Sequence, residues 1–412
     1  MSTSGNYVYN VTALDIITET LGLVGTYAPG ESLAASESAD TLRTLNLMLK
    51  AWQPKYGLWL NKELSLFLQD DTYKYLIGQT GDHCAANAVK TELGSAASSG
   101  DSSITIDAIT NFGNTFDRNG IMAASTPTGA ATLTLTGALT ASGIAALSSD
   151  RKILIYSDGD ESALTFTITG KNSLGAAVTE DLTGPDTTTA YSAETYKIVS
   201  SISVDGAGTG NIEIGQVGDP IGIELDDGTV QWSYIGAAVS TTAITVIDVL
   251  TDDAALDNHV YTYTAETPRV IEIIEVRLHK ANDYEVPLTI VGRNEYMALS
   301  NKSSSGSPNQ IYYDKSLDNG TLYTWPTCTD VQEYIKFSGR LPIQNLDNLT
   351  DDFEVGVEWF EAIAWNLALR LYPKYGKTVD PFVKIQAMEF LEAAKDSDSE
   401  NTSVFIQIEK RR

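Results

Sequence analysis

The chain has 412 residues, 42% of them hydrophobic, which suffices for about two or three cored domains and is too apolar for a disordered polymer. Its 27 Lys and Arg stand against 54 Asp and Glu, and the formal net charge of -27 excludes a surface that grips nucleic acid through its phosphates. Two cysteines and three histidines leave no disulfide framework and no four-ligand zinc spacing. The first residues carry no basic segment followed by an apolar core, and no run is long and apolar enough to cross a membrane. The expectation is a protein of the cytosol or of a particle.

Thr12 is placed to cap a helix that carries Leu14, Ile17 and Leu21 on one face and stops at Gly25. A second helix, beginning near Ser38 to Asp40, sets Leu42, Leu45, Leu49 and Trp52 in one stripe and runs into Pro54-Lys55-Tyr56-Gly57. The period then changes to two. Segments 102–110, 131–140, 152–158, 163–170, 197–204 and 211–215 alternate apolar or β-branched residues with small polar ones between turn residues, which predicts an all-β module. "SSITIDAIT" at 102–110 is echoed by "TTAITVIDVLT" at 241–251. Residues 95–115 and 218–265 are therefore expected to pair as one small barrel around a nested, immunoglobulin-like sandwich at 116–217. Residues 85–265 hold six bases against 22 acids, a net of -16, so the β region carries more than half of the excess charge. Such acidity suits the solubility of a projecting module.

Helical spacing returns with Val357, Phe360, Ile363, Ala364, Leu367 and Leu371, and this stretch ends in a second Pro-Lys-Tyr-Gly, residues 373–376. Proline cannot continue a helix and glycine can take the left-handed turn, so both tetrapeptides are expected to stop helices. A last helix from Pro381 carries Phe382, Ile385, Met388 and Leu391 at steps of three, with Phe390 beside them, for about four helices in all. Beyond it, polar "KDSDSENTS" leads to "VFIQIEKRR", in which Val404, Ile406 and Ile408 alternate before three bases.

The run "LGLVGTYAPGESLAASESADTLRTLNLMLKAW" with "LWLNKELSLFLQDDTYKYLIG", and later "PLTIVGRNEYMALSNKSSSGSPNQIYYD" with "DDFEVGVEWFEAIAWNLALRLYPKYG", resembles the head-to-tail adaptor family of short-tailed bacteriophages, also called tail tubular protein A or packaged-DNA stabilisation protein. The resemblance covers roughly residues 10–80 and 268–395, by element order and scattered motifs, and the β insertion departs from the smallest members. It implies a dodecameric ring under the portal in the virion, assembled in the host bacterial cytoplasm. The ring would extend the DNA channel, retain packaged DNA and offer a platform to the tail nozzle or fibre. It implies no cofactor, no metal and no catalysis. DNA would pass an acidic lumen without sequence-specific binding.

The expected architecture is α+β: a helical core from 1–84 and 266–412 with an inserted β region at 85–265. Val404, Phe405, Ile406, Ile408, Lys410, Arg411 and Arg412 are expected to dock on the portal or a neighbouring subunit, the alternative being a frayed terminus. Leu45, Leu49, Trp52, Trp359, Trp365 and Leu369 are expected to pack subunits together. The competing functional reading is a tail or capsid accessory module that recognises a fibre or surface glycan through the β insertion. Asp158, Asp160 and Glu161 are close enough in sequence for a calcium loop, but the spacing fits a solvated hairpin turn better. His83 beside Cys84 has no partner spacing for a nucleophile, and no Walker A loop, Gly-x-Ser-x-Gly elbow or His-Glu-x-x-His is present.

Overall fold

In the computed structural model, which describes residues 9–27, 33–58, 60–107, 112, 114–237 and 242–397, the first helix, α1 (Ala13–Val24), opens on a reciprocal cap. The Thr12 hydroxyl accepts from Asp15 N at 3.3 Å, and an Asp15 carboxylate oxygen accepts from Thr12 N at 2.9 Å. The Thr12 hydroxyl also donates to the Asp15 carboxylate at 2.7 Å, and this bond, with the one from Thr12 N, holds the Asp15 carboxyl below its usual range. The other α-helices are α2 (Ala35–Tyr56), α3 (Arg293–Ala298), α4 (Phe360–Leu371) and α5 (Pro381–Ser397). With the extensive antiparallel strands between them they make an α+β protein.

By contact the chain divides into two compact units, Met1–Leu60 with Pro342–Arg412, and Asn61–Leu341. The boundaries thus fall at 60/61 and 341/342 in place of the expected 84/85 and 265/266. Strand pairing accounts for the difference: Leu60–Phe67 lies in one five-stranded sheet with Cys84–Ala85, Tyr334–Leu341, Glu272–His279 and Glu285–Pro287. Those ladder bonds draw 61–84 and 266–341 into the β unit.

The helical unit packs α1, α2, α4 and α5 around Ile16, Ile17, Leu21, Leu45, Met48, Leu49, Trp52, Trp359, Ile363 and Leu367. The face of α1 is set by Ile16, Ile17, Leu21 and Val24, whereas Leu14 is 38% exposed. Helix α2 starts three residues before Ser38 and continues through Pro54 to Tyr56. Proline in this last turn removes one backbone bond without ending the helix, and Gly57 stops it at φ 74°. The second tetrapeptide lies beyond α4, which ends at Leu371, and its Gly376 is also left-handed at φ 65°. Here it ties the two chain ends together. Lys374 Nζ donates to Asp40 at 2.7 Å, the Tyr375 hydroxyl to Glu37 at 2.6 Å, and Lys377 Nζ to the Gly25 carbonyl at 2.6 Å, next to the negative end of α1. Asn46 exchanges two bonds with the Leu346 backbone, at 2.8 and 3.0 Å.

In the β unit, the echoing segments pair with each other: Ser103–Thr105 lies antiparallel to Ala243–Thr245, with Ile104 opposite Ile244. Their side chains join Leu93, Ile221, Ile223, Ile235, Val246 and Val260 in one core. Eight strands between Asp117 and Gln216 form a separate assembly. Six of them follow one continuous hydrogen-bonded order, Ala177–Thr183, Thr165–Lys171, Thr189–Val204, Ile144–Ser157, Ile212–Gln216, Asp117–Ser125, where two sandwich sheets were expected, and the two short strands pair off this path with Thr189–Val204 and Ile144–Ser157. The register of Thr189–Val204 on Ile144–Ser157 shifts twice, the kind of bulge that bends long strands around a core, here Ile121, Ile153, Phe166, Ile202 and Ile214. The predicted strand at 131–140 is reduced to Ala131–Thr132 and Thr140–Ala141. Arg151 and Asp219, each 1% exposed in its side chain, form an ion pair at 2.6 Å beneath these strands, and Thr115 donates to the same Asp219 oxygen.

Candidate functional site

The residues expected to join subunits are largely enclosed by the chain's own helices. Leu45, Leu49, Trp52 and Trp359 are buried in the helical core, with the Trp52 and Trp359 rings 6.2 Å apart. An apolar side chain already packed on three sides has no face left for a neighbour, so these four hold the fold. Trp365 and Leu369 are partly buried against the same core. The predicted docking residues, Val404, Phe405, Ile406, Ile408, Lys410, Arg411 and Arg412, lie outside the described residues.

The outward surface of the unit is set by α5. Asp380 starts this helix, accepting from Phe382 N at 2.9 Å, with Pro381 at the first helical position. Val383, Ala387 and Ala394 face the core. Phe382, Ile385 and Met388, the apolar residues at steps of three in the sequence, are 60%, 54% and 61% exposed. The small side chains at 387 and 394 let α5 approach α4 closely, and that approach decides which side turns in. Asn366 Nδ2 fixes it by donating to the Ala387 carbonyl at 2.8 Å. Phe382 meets the Trp365 ring edge-on at 6.1 Å, and Trp365 Nε1 donates to Glu361 at 2.9 Å. A stripe of three large apolar side chains, bordered by Asp380 and Glu361, is thus open to a partner.

The β unit offers a concave pocket of about 210 Å³, with Phe67, Tyr261 and Tyr334 in its lining and Glu63, Lys90 and Lys336 at its rim. Tyr261 and Tyr334 come from strands His259–Thr262 and Tyr334–Leu341, and the Phe67 ring lies 4.7 Å from Tyr261 and 5.9 Å from Tyr334. Lys336 is bonded to Glu285 at 3.1 Å. Tyr261 stands in the alternating aromatic run "YTYT" at 261–264, but Phe67, Lys90 and Lys336 come from distant segments and carried no local signal.

His83 does gain partners in three dimensions. Its ring stacks on Trp232 at 3.7 Å, and its Nδ1 is 2.6 Å from the Tyr263 hydroxyl, which donates to Glu266 at 3.2 Å. Burial pulls His83 down to about 3 and pushes Glu266 up to about 7. Cys84, next to it, is fully buried, and burial pushes its thiol well above its ordinary value. Asp158, Asp160 and Glu161 do not converge on a cation. Asp158 accepts from Asn211 N at 2.6 Å and Asp160 from Ser162 N at 3.0 Å. The Glu161 carboxylate, which is buried, accepts from Thr209 N and Gly210 N at 2.9 and 2.7 Å. These bonds build the turn between strands Ile144–Ser157 and Thr165–Lys171. Among the described residues, Glu92, Asp107 and Asp257 bring ligand-type oxygens within 4.8 Å of one another. Asp107 and Asp257 are exposed, as solvated surface acids commonly are.

No family model matches the chain, and no curated protein sequence matches it. Among solved structures, a chain from the structure of infectious bursal disease virus, Gt strain, is similar at 9% identity with a TM-score of 0.13, over 81% of this chain and 80% of that one. A likeness at that level carries no argument about fold or function.

Proposed function

We propose that the chain is a structural head-to-tail adaptor of a short-tailed bacteriophage, a non-enzymatic subunit of a ring that binds below the portal. In this reading about twelve copies extend the DNA channel, help to retain the packaged genome and give the tail nozzle or fibre a platform. The site of action is the head-tail junction of the virion, reached after assembly in the host cytoplasm. The observation that carries the reading is the helical unit. It is closed by helices from both chain ends, and its last helix turns Phe382, Ile385 and Met388 outward. A self-sufficient core with an apolar stripe on one side suits a heterologous contact, in which one surface of a subunit meets a different surface of the next until the ring closes. The net charge of -27 suits a channel through which DNA slides without sticking. The segment Val404–Arg412 would dock on the portal through its apolar alternation and three bases.

The test is the mass of the purified chain, alone and mixed with a phage portal ring, by native mass spectrometry. A monomer that assembles into a ring of about a dozen on the portal, and that loses this on deletion of 401–412 with an unchanged circular-dichroism spectrum, is the expected result. A chain that ignores the portal overturns the reading. The aromatic pocket of Phe67, Tyr261 and Tyr334 favours a second reading, a module that binds a surface glycan. Titration of the chain with short bacterial surface oligosaccharides, followed by Trp232 and Tyr fluorescence, tests it directly.

A further inference from the structure

Helix α5 turns a face to solvent that is apolar inside an acidic border. Phe382, Ile385 and Met388 are more than half exposed, and the exposed Glu389 and Glu392 continue the same face toward the C-terminal end of the helix. At the other end stand Asp380 and Glu361, the latter held beside Phe382 through Trp365. The bases of α5 lie off this face: Lys384 is about 100° round the helix from Ile385, and Lys395 Nζ sits 5.3 Å over the Tyr56 ring.

Helix α2 shows an outward face of the opposite sign. Leu47 is 63% exposed, and Arg43, Ala51 and Pro54 are exposed on the same side. Arg43 pairs with Asp40 at 2.6 Å, but that carboxylate also holds Lys374 at 2.7 Å, so two cations share one anion. Glu37 is engaged by the Tyr375 hydroxyl, and Lys55 is exposed at the far end of the helix. The border of this face is therefore net positive. Two α5 faces brought together, or two α2 faces, would set like charges side by side, whereas α5 against α2 joins apolar to apolar and acid to base. Every copy of the chain carries both surfaces, which is the condition for a heterologous contact.

We propose that α5 of one copy packs on α2 of the next, with Phe382, Ile385 and Met388 against Leu47 and Ala51, and with the acidic border of α5 facing Arg43, Lys55 and Lys374. The inference rests on the ring reading above and gives its subunit contact two named surfaces. One helix pair buries less than the roughly 1,000 Å² of a stable interface. Free chains in dilute solution therefore stay apart, and the contact accumulates where copies are concentrated or held on a common platform.

The test mixes equal amounts of two full-length single variants, Met388→Cys and Leu47→Cys, at high concentration without a portal, and traps contacts by mild oxidation. Cys84 and Cys328 are fully buried, so the introduced thiols are the reactive ones, and both lie at exposed positions that leave the core intact. Random encounter gives as many mixed dimers as like ones. The expected result is mixed dimers in several-fold excess, an excess lost when Ile385→Glu is added to the first chain or Arg43→Glu to the second. Mixed dimers no more abundant than like ones, Met388→Cys chains that link chiefly to each other, or an excess that survives both added substitutions would overturn the pairing. Mixed dimers from a chain that ignores the portal keep this contact and remove the adaptor reading. Assembly on the portal without the mixed excess keeps the adaptor reading and removes this contact.

Discussion

The two units of this chain are held by different physics. The helical unit is an apolar interlock: Ile17, Leu21, Leu45, Met48, Ile363 and Leu367 are fully buried, and its polar ties, such as Lys374 with Asp40, lie at the margin. The β unit buries polar groups as well, among them Arg151 with Asp219 and Glu161 with its backbone donors, and it carries the larger share of acid on its surface. An apolar interlock tolerates, and here retains, an apolar side facing outward, whereas a module with satisfied buried charges and an acidic exterior resists association.

The contrast is broken most strongly at its buried charges. Arg151→Ala leaves Asp219 in the interior without its cation and should cost about 3–5 kcal/mol. In chemical denaturation that loss should appear in the transition reported by Trp232 and leave a helical transition in place. If both transitions move together, the two units do not unfold separately. Leu45→Ala, at a fully buried position of α2, should cost about 2–5 kcal/mol, confined to the helical transition followed by far-ultraviolet circular dichroism.

The pH dependence sharpens the same comparison inside the β unit. Glu266 has its folded-state value raised to about 7, so the folded chain binds a proton that the unfolded chain has already lost above its ordinary value near 4.5. Stability from this group is therefore lost as pH rises from about 4.5 through 7, and Glu266→Gln should stabilise the protein at pH 8 by about 2 kcal/mol, with little effect at pH 4. His83 works in the opposite direction. Its folded value near 3 means that stability is lost as pH falls below about 6.5, and His83→Gln should remove that acid-side slope. Melting temperatures over pH 3–9 separate the two. The smallest effect is expected on α5: Ile385→Glu, at an exposed position, should change stability by less than about 0.5 kcal/mol. A large loss there would mean that the stripe belongs to the core after all.

The helices at both ends were legible because caps and stops are local chemistry. Thr12 with Asp15, Gly25, Gly57 and Pro381 act within a few residues of themselves. Helix α3 was missed because six residues carry too little period, and the end of α2 was misjudged because a proline in the last turn costs only one bond. The echo of 102–110 in 241–251 led to a real strand pair, since matching alternation lets two segments share a core face. The nested strands were located with fair accuracy, but the single curled sheet depends on bulges whose positions have no residue signature.

Residue order alone determined the α+β class, the four long helices, the turns around Asp158 and the uneven charge, because each follows from near neighbours or from counting. Tertiary structure decided the unit boundary, which follows ladder bonds between segments some 270 residues apart, and it decided that Leu45, Leu49, Trp52 and Trp359 face inward while Phe382, Ile385 and Met388 face out. Apolar spacing tells how a helix is striped, but which stripe is buried depends on where a partner helix can come closest, and in α5 that place is marked by the small residues Ala387 and Ala394.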